Sequence, residues 1–365
     1  MESTAHTDFV HTGPGTLAGR YMRTFWQPVV VGANVKPGQA VPVRIMSEDF
    51  TFYRGAGGEP HLVGFRCAHR GTQLSTGWVE DDCIRCFYHG WKYNGSGKCV
   101  EQPAEDASFA RKISIASWPV KEYLGLVFAY LGDGPVPEFR RFPAIEQAEV
   151  VVAEAYTRKC NYFQNLENHL DYMHQLFTHR SGFTKYGFEF PDRITAQETD
   201  YGIVTTAHVP SGTSNLITIM PNIRWPEWGV SWRVPVDDTE HLSFSLRKAE
   251  LLHVSAGPRV EVHPTTEEMA ELILRGELTI ADAEGRPDQV TIEDLVSQLG
   301  QGVIEDRSDE ALGRADAGVI LTRKIWSREM KALAEGKPLK RWGIPALLSA
   351  NPAVCRESEF EPSAA

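Results

Sequence analysis

Apolar and polar residues alternate over Ala40-Val41-Pro42-Val43-Arg44-Ile45, and Phe50-Thr51-Phe52-Tyr53 is rich in β-formers, so this stretch predicts short strands. Gly55 to Gly58 interrupts them, and Asn94-Gly95-Ser96-Gly97 is a hairpin signal. Tyr123 to Tyr130 reads as one more strand, closed by Gly132-Asp133-Gly134-Pro135. Pro135, Pro137 and Pro143 mark the exit from this all-β unit. The period then changes. Asn161 to Phe177 follows a helical pattern, strands are expected around 202–209, 215–220, 229–236 and 241–249, and helices over Thr266–Arg275, Thr291–Leu299 and Ala315–Glu335. In the last of these Val319, Trp326, Met330 and Leu333 fall on one stripe. The expected fold class is α+β: an all-β domain over 41–145, then a domain over 146–350 with an antiparallel sheet flanked by helices. Residues 1–40 are expected to pack with the second domain, and 351–365 to form a mobile tail.

The length of 365 residues suits two domains of ordinary size. A net charge of −11 argues against a nucleic-acid partner. The longest apolar candidate, Tyr123 to Leu131, is half of what a membrane span needs, so no membrane association is expected. Met1-Glu2-Ser3-Thr4 does not begin a secretory signal, which leaves a cytoplasmic protein with reduced thiols as the expectation. The 6 cysteines are too few for a disulfide scaffold, yet Cys67, Cys83, Cys86 and Cys99 are clustered, and clustering points to a metal.

Cys67-Ala68-His69 and Cys86-Phe87-Tyr88-His89 each offer one thiolate and one imidazole, with glycines following at Gly71 and Gly90. Two thiolates for one iron and two imidazoles for the other is the ligand set of a Rieske 2Fe–2S centre. A zinc site is the alternative, but zinc favours C-x₂₋₄-C and H-x₃₋₅-H spacings over C-x-H. A Cys67–Cys86 disulfide is a second alternative, disfavoured in a reducing compartment. Cys83 and Cys99 read as packed thiols. On the stretches Cys67 to Gly77 and Cys86 to Trp91 the chain resembles the Rieske non-haem iron oxygenases.

A second constellation follows at Asp171-Tyr172-Met173-His174, continuing to His179. At about 100° per residue, Asp171 and His174 share a helix face while His174 and His179 are about 140° apart. The helix must end, or carry a π-bulge, between the two histidines if both are to face one metal. Two histidines on one element suggest the 2-His-1-carboxylate triad of mononuclear Fe(II). The resemblance extends to this segment. It implies that His174 and His179 are iron ligands and that Asp171 bridges to a Rieske histidine of a neighbouring subunit in a homotrimer. His169 lies outside the ligand pattern and reads as structural. Carboxylate candidates downstream are Asp288, Glu293, Asp294, Asp306, Asp309 and Asp316. The resemblance of Glu293 to Ser308 to the family's ligand stretch implies Asp294, with Asp306 second.

No G-x-G-x-x-G follows a strand and no further cluster motif appears, so electrons are expected from a separate NAD(P)H-dependent reductase, with or without a ferredoxin. Arg66, Arg70, Arg85, Lys92 and Lys98 are candidates for its docking face. The wording of 8–20 and 61–103 is similar to the phthalate-dioxygenase-like and 5,5′-dehydrodivanillate O-demethylase-like branch. This implies O₂ and an aromatic acid as substrates, the acid O-demethylated through methyl hydroxylation or, alternatively, hydroxylated on its ring. An electron carrier with an inert second domain is the reading from a different class. Arg224, Arg233, Arg247 and His208, on the strands expected to line the pocket, are candidates for holding the carboxylate.

Overall fold

The structure is a computed structural model describing residues 7–182, 189–226, 228–251 and 262–345. The tail expected over 351–365 lies outside the described residues. Along the chain, α1 (Leu17–Arg23) leads into β1 (Trp26–Val31), β2 (Ala40–Ile45), β3 (Glu48–Arg54) and β4 (Pro60–Gly64). Then come β5 (Trp78–Glu80), β6 (Cys83–Arg85), β7 (Lys92–Asn94), β8 (Cys99–Glu101), α2 (Ala107–Ala110), β9 (Ser117–Trp118), β10 (Val120–Tyr123) and β11 (Leu126–Tyr130). Three small antiparallel sheets result, ordered β2-β3-β4-β9, β5-β6-β7-β8 and β1-β11-β10.

Tyr123 to Tyr130 is not one strand. Leu124 and Gly125, with φ of 50° and 86°, form a two-residue turn between β10 and β11. Apolar residues flank the turn on both sides, so the pattern hid it. The N-terminal segment is also divided. Its α1 packs against the C-terminal helix, but β1 pairs with β11 and so joins the first unit.

The second half contains α3 (Pro143–Glu146), β12 (Val151–Arg158), α4 (Tyr162–Leu170), α5 (Tyr172–Phe177), β13 (Arg193–Glu198), β14 (Gly202–Val209), β15 (Gly212–Ile219), β16 (Ile223–Trp225), β17 (Gly229–Pro235) and β18 (His241–Lys248). It closes with α6 (Thr266–Leu274), α7 (Gln289–Gly300) and α8 (Ala317–Ala334). The strands make a 7-stranded antiparallel sheet, β12-β18-β17-β16-β15-β14-β13. Trp326 of α8 meets the rings of Tyr21 on α1 and Phe163 on α4 edge-on, at 5.1 and 5.4 Å between centroids. Each such pair adds about 0.5–1.5 kcal/mol beyond the area it buries.

The two faces of this sheet are both buried but differ in kind. Val230, Trp232, Val234, Phe244 and Leu246 face the main core, where Trp232 meets Phe128 of β11 at 5.3 Å. Their strand neighbours Ser231, Arg233, Ser243 and Ser245 are equally buried and face α4, because successive strand residues alternate. Asn165 on α4 donates to His241 Nε2 at 2.8 Å across this boundary. The sheet therefore carries a polar lining between itself and the helices, and the candidate site lies in that layer.

Candidate metal centres

The two Cys/His loops are built alike. In the first, Gly71 N–H donates to Cys67 O at 2.9 Å and Cys67 N–H to Thr72 O at 2.8 Å. In the second, Gly90 N–H donates to Cys86 O at 3.0 Å and Cys86 N–H to Trp91 O at 2.9 Å. Gly71 and Gly90 adopt φ of 75° and 74°, a conformation that a Cβ disfavours. Each loop thereby buries its cysteine and leaves its histidine exposed. The rings of His69 and His89 come within 4.5 Å of each other, and His69 stacks on Trp91 at 4.6 Å. Both cysteines are free thiols, so the disulfide alternative does not describe this site. Ala68 N–H donates to the Tyr93 hydroxyl oxygen at 3.1 Å, which leaves the hydroxyl proton for Cys67 Sγ at 3.2 Å. The paired thiols at one end and imidazoles at the other fit a 2Fe–2S cluster.

The second site begins where the expected helix breaks. Asp171 separates α4 from α5 and is the N-cap of α5, its Oδ1 accepting from Met173 N–H at 2.8 Å. Asp171 thus stands at a corner with extended backbone rather than on a continuous helical face with His174. The chain leaves α5 after Phe177, which frees His179 to turn back, so the required helix end lies between the two histidines. His174 Nδ1 donates to Asp171 O at 2.5 Å and His179 Nδ1 to Glu293 Oε2 at 2.7 Å. With both Nδ1 protons committed to acceptors, each Nε2 is the ring atom left to take up a proton or a metal. These two atoms lie 3.8 and 3.4 Å from Asp294 Oδ1, and the three ligand atoms are all within 4.8 Å of one another. Among the described residues this is the one His/Asp group with metal-binding geometry. Asp306 is not part of it; its carboxylate caps a short turn by accepting from Ser308 N–H.

Burial alone would protonate Asp294, but the bond to His179 and the charges of His179, Arg158 and His174 hold it far below the usual carboxylate range. Burial likewise opposes charge on His179, yet Asp294 and Glu293 together raise it to about 9. A pocket that attracts a proton this strongly also attracts a cation. Asn168 donates to Asp294 Oδ1 at 3.2 Å and Arg158 lies 3.9 Å from Oδ2, so Asp294 is oriented on both sides. Glu293 is in turn held by Gln289 Nε2 at 2.8 Å and Ser181 Oγ at 3.2 Å. Sequence reasoning gave Glu293, Asn168 and Arg158 no supporting role. The adjacency of Glu293 to Asp294, and of Asn168 to the Asp171 segment, was the available signal.

The four pocket candidates separate. Arg224 and Arg233 lie on the polar face of the sheet near Asp294, and among the described residues no carboxylate forms a salt bridge with either. Burial lowers both, Arg233 to about 10. Arg247 shares that face but bonds Glu154 Oε1 at 2.9 Å, so its charge is already answered. His208 points the other way, because its neighbours Ala207 and Val209 pack against Tyr172 and Leu176 of α5. The expected docking face also shrinks. Arg85 pairs with Glu80 and Glu101, and Lys92 with Glu80, whereas Arg66 and Arg70 stay exposed beside the histidine pair.

Comparison with known proteins agrees with this geometry. The model of the Rieske [2Fe-2S] domain matches residues 25–123. The 5,5′-dehydrodivanillate O-demethylase oxygenase subunit of Sphingobium sp. is 29% identical over 351 residues, 90% of this chain and 80% of that protein. The 3-chlorobenzoate-3,4-dioxygenase oxygenase subunit of Comamonas testosteroni is 31% identical over 66% of this chain and 62% of its own. The terminal oxygenase of carbazole 1,9a-dioxygenase from Novosphingobium sp. KA1 superposes with a TM-score of 0.63 at 21% identity, covering 84% of this chain and 92% of that one. A Rieske domain followed by a helix-covered sheet with a His/His/Asp group defines a Rieske non-haem iron oxygenase, and the chain belongs to that class. The cofactors of this class are a Rieske 2Fe–2S cluster and a mononuclear iron.

Proposed function

We propose that the enzyme O-demethylates a methoxylated aromatic acid, with Cys67, Cys86, His69 and His89 holding the cluster and His174, His179 and Asp294 the mononuclear iron. The observation that carries this reading is the His/His/Asp group beside a polar sheet face where, among the described residues, Arg224 and Arg233 form no salt bridge with a carboxylate. When bound, the cluster supplies electrons singly and the mononuclear iron supplies the place where O₂ is reduced. The residues of the chain do the rest. Asp171 O and Glu293 fix the two imidazoles in the tautomer that presents Nε2. Arg224 and Arg233 take the substrate carboxylate in paired hydrogen bonds and so orient the ring. The helices covering the polar face exclude bulk water, which strengthens those bonds.

The net reaction inserts one oxygen of O₂ into a methyl C–H bond and reduces the other to water, using two electrons and two protons. The resulting hemiacetal loses formaldehyde and leaves a phenol. Ring hydroxylation of an aromatic carboxylate is the second reading, supported by the similarity to the 3-chlorobenzoate-3,4-dioxygenase subunit. Electrons come from a separate NAD(P)H-dependent reductase, directly or through a ferredoxin, entering at the exposed His69 and His89 beside Arg66 and Arg70. We further propose a homotrimer in which the cluster of one subunit serves the iron of the next. There His69 or His89 donates to the Asp171 carboxylate, whose Oδ2 has His174 Nδ1 at 3.9 Å as its ion-pair contact among the described residues.

The test is O₂ uptake with a reconstituted reductase against methoxylated and phthalate-type aromatic acids. Formaldehyde formed in step with O₂ supports O-demethylation, a hydroxylated ring supports the second reading, and no acid-dependent turnover refutes both.

A further inference from the structure

Arg158 ends β12 and is 4% exposed, a cation taken almost wholly out of water. A guanidinium has five N–H donors and no acceptor, and its charge is not titrated away in a protein. Its Nη1 donates to Gln298 Oε1 at 2.9 Å and its Nη2 to the Tyr156 hydroxyl at 3.2 Å, and its Cζ stands 5.2 Å from the centre of the Tyr156 ring. Neither partner is a carboxylate. Among the described residues Asp294 alone forms an ion pair with it, Oδ2 lying 3.9 Å from Nη2. A buried charge without an opposite one is strongly destabilising, so Arg158 and Asp294 have to be considered together.

Gln298 stands one turn after Asp294 on α7, so one guanidinium grips the helix at two points of the same face. That grip is mechanical, and a neutral donor of similar reach could supply it. The charge has a separate consequence. The Asp294 carboxylate meets His179 Nε2 at 3.4 Å, His174 Nε2 at 3.8 Å and Arg158 at 3.9 Å. The histidines are cations only while protonated, and a metal at their Nε2 atoms takes the place of those protons. Arg158 keeps its charge whether the site is loaded or not. The two oxygens of Asp294 are divided to match: Oδ1 faces the histidine nitrogens and Oδ2 faces the guanidinium.

We propose that Arg158 is a positioning residue for the mononuclear iron, acting through Asp294: it holds Oδ2 turned away from the histidines, and its charge biases the iron toward the ferrous state. The inference rests on the His174, His179 and Asp294 reading above and adds the control of that site's redox balance. The couple concerned is ferric iron plus one electron from the cluster giving ferrous iron. Ferric iron carries one positive charge more, so a fixed cation beside its ligand destabilises it more than the ferrous form. Burial keeps the solvent from screening that effect. Glu293 acts in the opposite sense, because a carboxylate accepting from His179 Nδ1 at 2.7 Å makes the imidazole a stronger donor. Arg158 is the counterweight to that push.

The test is an anaerobic redox titration of the protein carrying both its cluster and its mononuclear iron, read by the low-field EPR signal of high-spin ferric iron. Arg158→Gln keeps donors for Gln298 and Tyr156 and removes the charge. At a fixed potential its ferric-to-ferrous ratio should rise about tenfold, a fall of about 59 mV for one electron. Arg158→Lys keeps the charge and should stay near the wild type. Gln298→Leu loosens the grip on α7, keeps the charge, and should also leave the ratio unchanged. An unchanged ratio in Arg158→Gln overturns the proposal. So does a tenfold rise in Arg158→Lys or Gln298→Leu, which would reduce Arg158 to a mechanical tie; these two variants decide even if Arg158→Gln does not fold. If Asp294→Asn retains the ferric signal, the ligand reading itself falls and takes this one with it; if the signal needs Asp294 but ignores Arg158, only the role of Arg158 falls.

Discussion

Asp294 and Asp306 are both aspartates downstream of the histidines, and the structure gives them opposite duties. Asp294 is held by Asn168, Arg158 and His179, while Asp306 caps an exposed turn. Asp294→Asn should therefore lose the mononuclear iron while the visible spectrum of the cluster persists; Asp306→Asn should keep both. Iron analysis of the two variants beside their absorption spectra decides, and iron lost from the Asp306 variant alone would reverse the assignment. At the other centre, Tyr93 donates to Cys67 Sγ. Hydrogen bonds to cluster sulfurs stabilise the reduced, more negative state. Tyr93→Phe should lower the reduction potential by roughly 40 mV, a bond of about 1 kcal/mol expressed for one electron. Spectroelectrochemical titration reads this directly, and an unchanged potential would mean that the phenol only packs.

Asp171 joins two elements, and the two roles assigned to it can be separated. As the N-cap of α5 its side chain satisfies Met173 N–H, a bond whose loss costs about 0.5–2 kcal/mol. As a negative charge it is proposed to receive a histidine N–H from the neighbouring subunit. Asp171→Asn keeps the cap and removes the charge. It should leave both metal sites filled and the melting temperature nearly unchanged while slowing cluster-to-iron electron transfer in single turnover. Asp171→Ala should lose both. A transfer rate in Asp171→Asn equal to the wild type would count against the bridge.

The same element shows how far sequence reasoning reached. Both Cys/His loops, the histidine pair and the later helices were visible as motifs or periodicity, whereas Asp294 came from the resemblance alone. The break at Asp171 was not, because Tyr162 to Phe177 keeps a helical pattern across it, and what stops the helix is the extended backbone of one capping residue. The Leu124–Gly125 turn escaped for a related reason, since apolar strands continue on either side of it. β12 and β13 were missed as well: β12 pairs with β18 along its whole length across a long stretch of sequence, a contact that no local window contains. The covering of the polar lining could not be read from alternation. Val230-Ser231-Trp232-Arg233-Val234 has the alternation of a strand with one face in water, whereas its polar face is covered by α4.

For the molecule as a whole, those covered polar groups make stability depend on pH. His241 donates from Nδ1 to Cys160 O, accepts from Asn165 at Nε2, and stays neutral because burial, above all, drives it down to about 3. In the unfolded chain it titrates near 6.5. Between those values the unfolded chain binds a proton that the folded one refuses, so stability is full above about pH 6.5 and declines as the pH falls toward 3, by at most about 1.4 kcal/mol per pH unit. Melting temperatures between pH 7 and pH 5 should fall less steeply in His241→Gln than in the wild type, and equal slopes would show that other groups dominate. The two-sided sheet has a wider consequence. The side chains that hold the core together and those that form the polar lining occupy alternate positions of the same strands. On the proposed reading, exchanging Arg224 or Arg233 changes what the enzyme accepts, while Val230, Trp232, Phe244 and Leu246 go on supporting the fold. One backbone can thus be retuned to a new compound position by position, with little debt to its own stability.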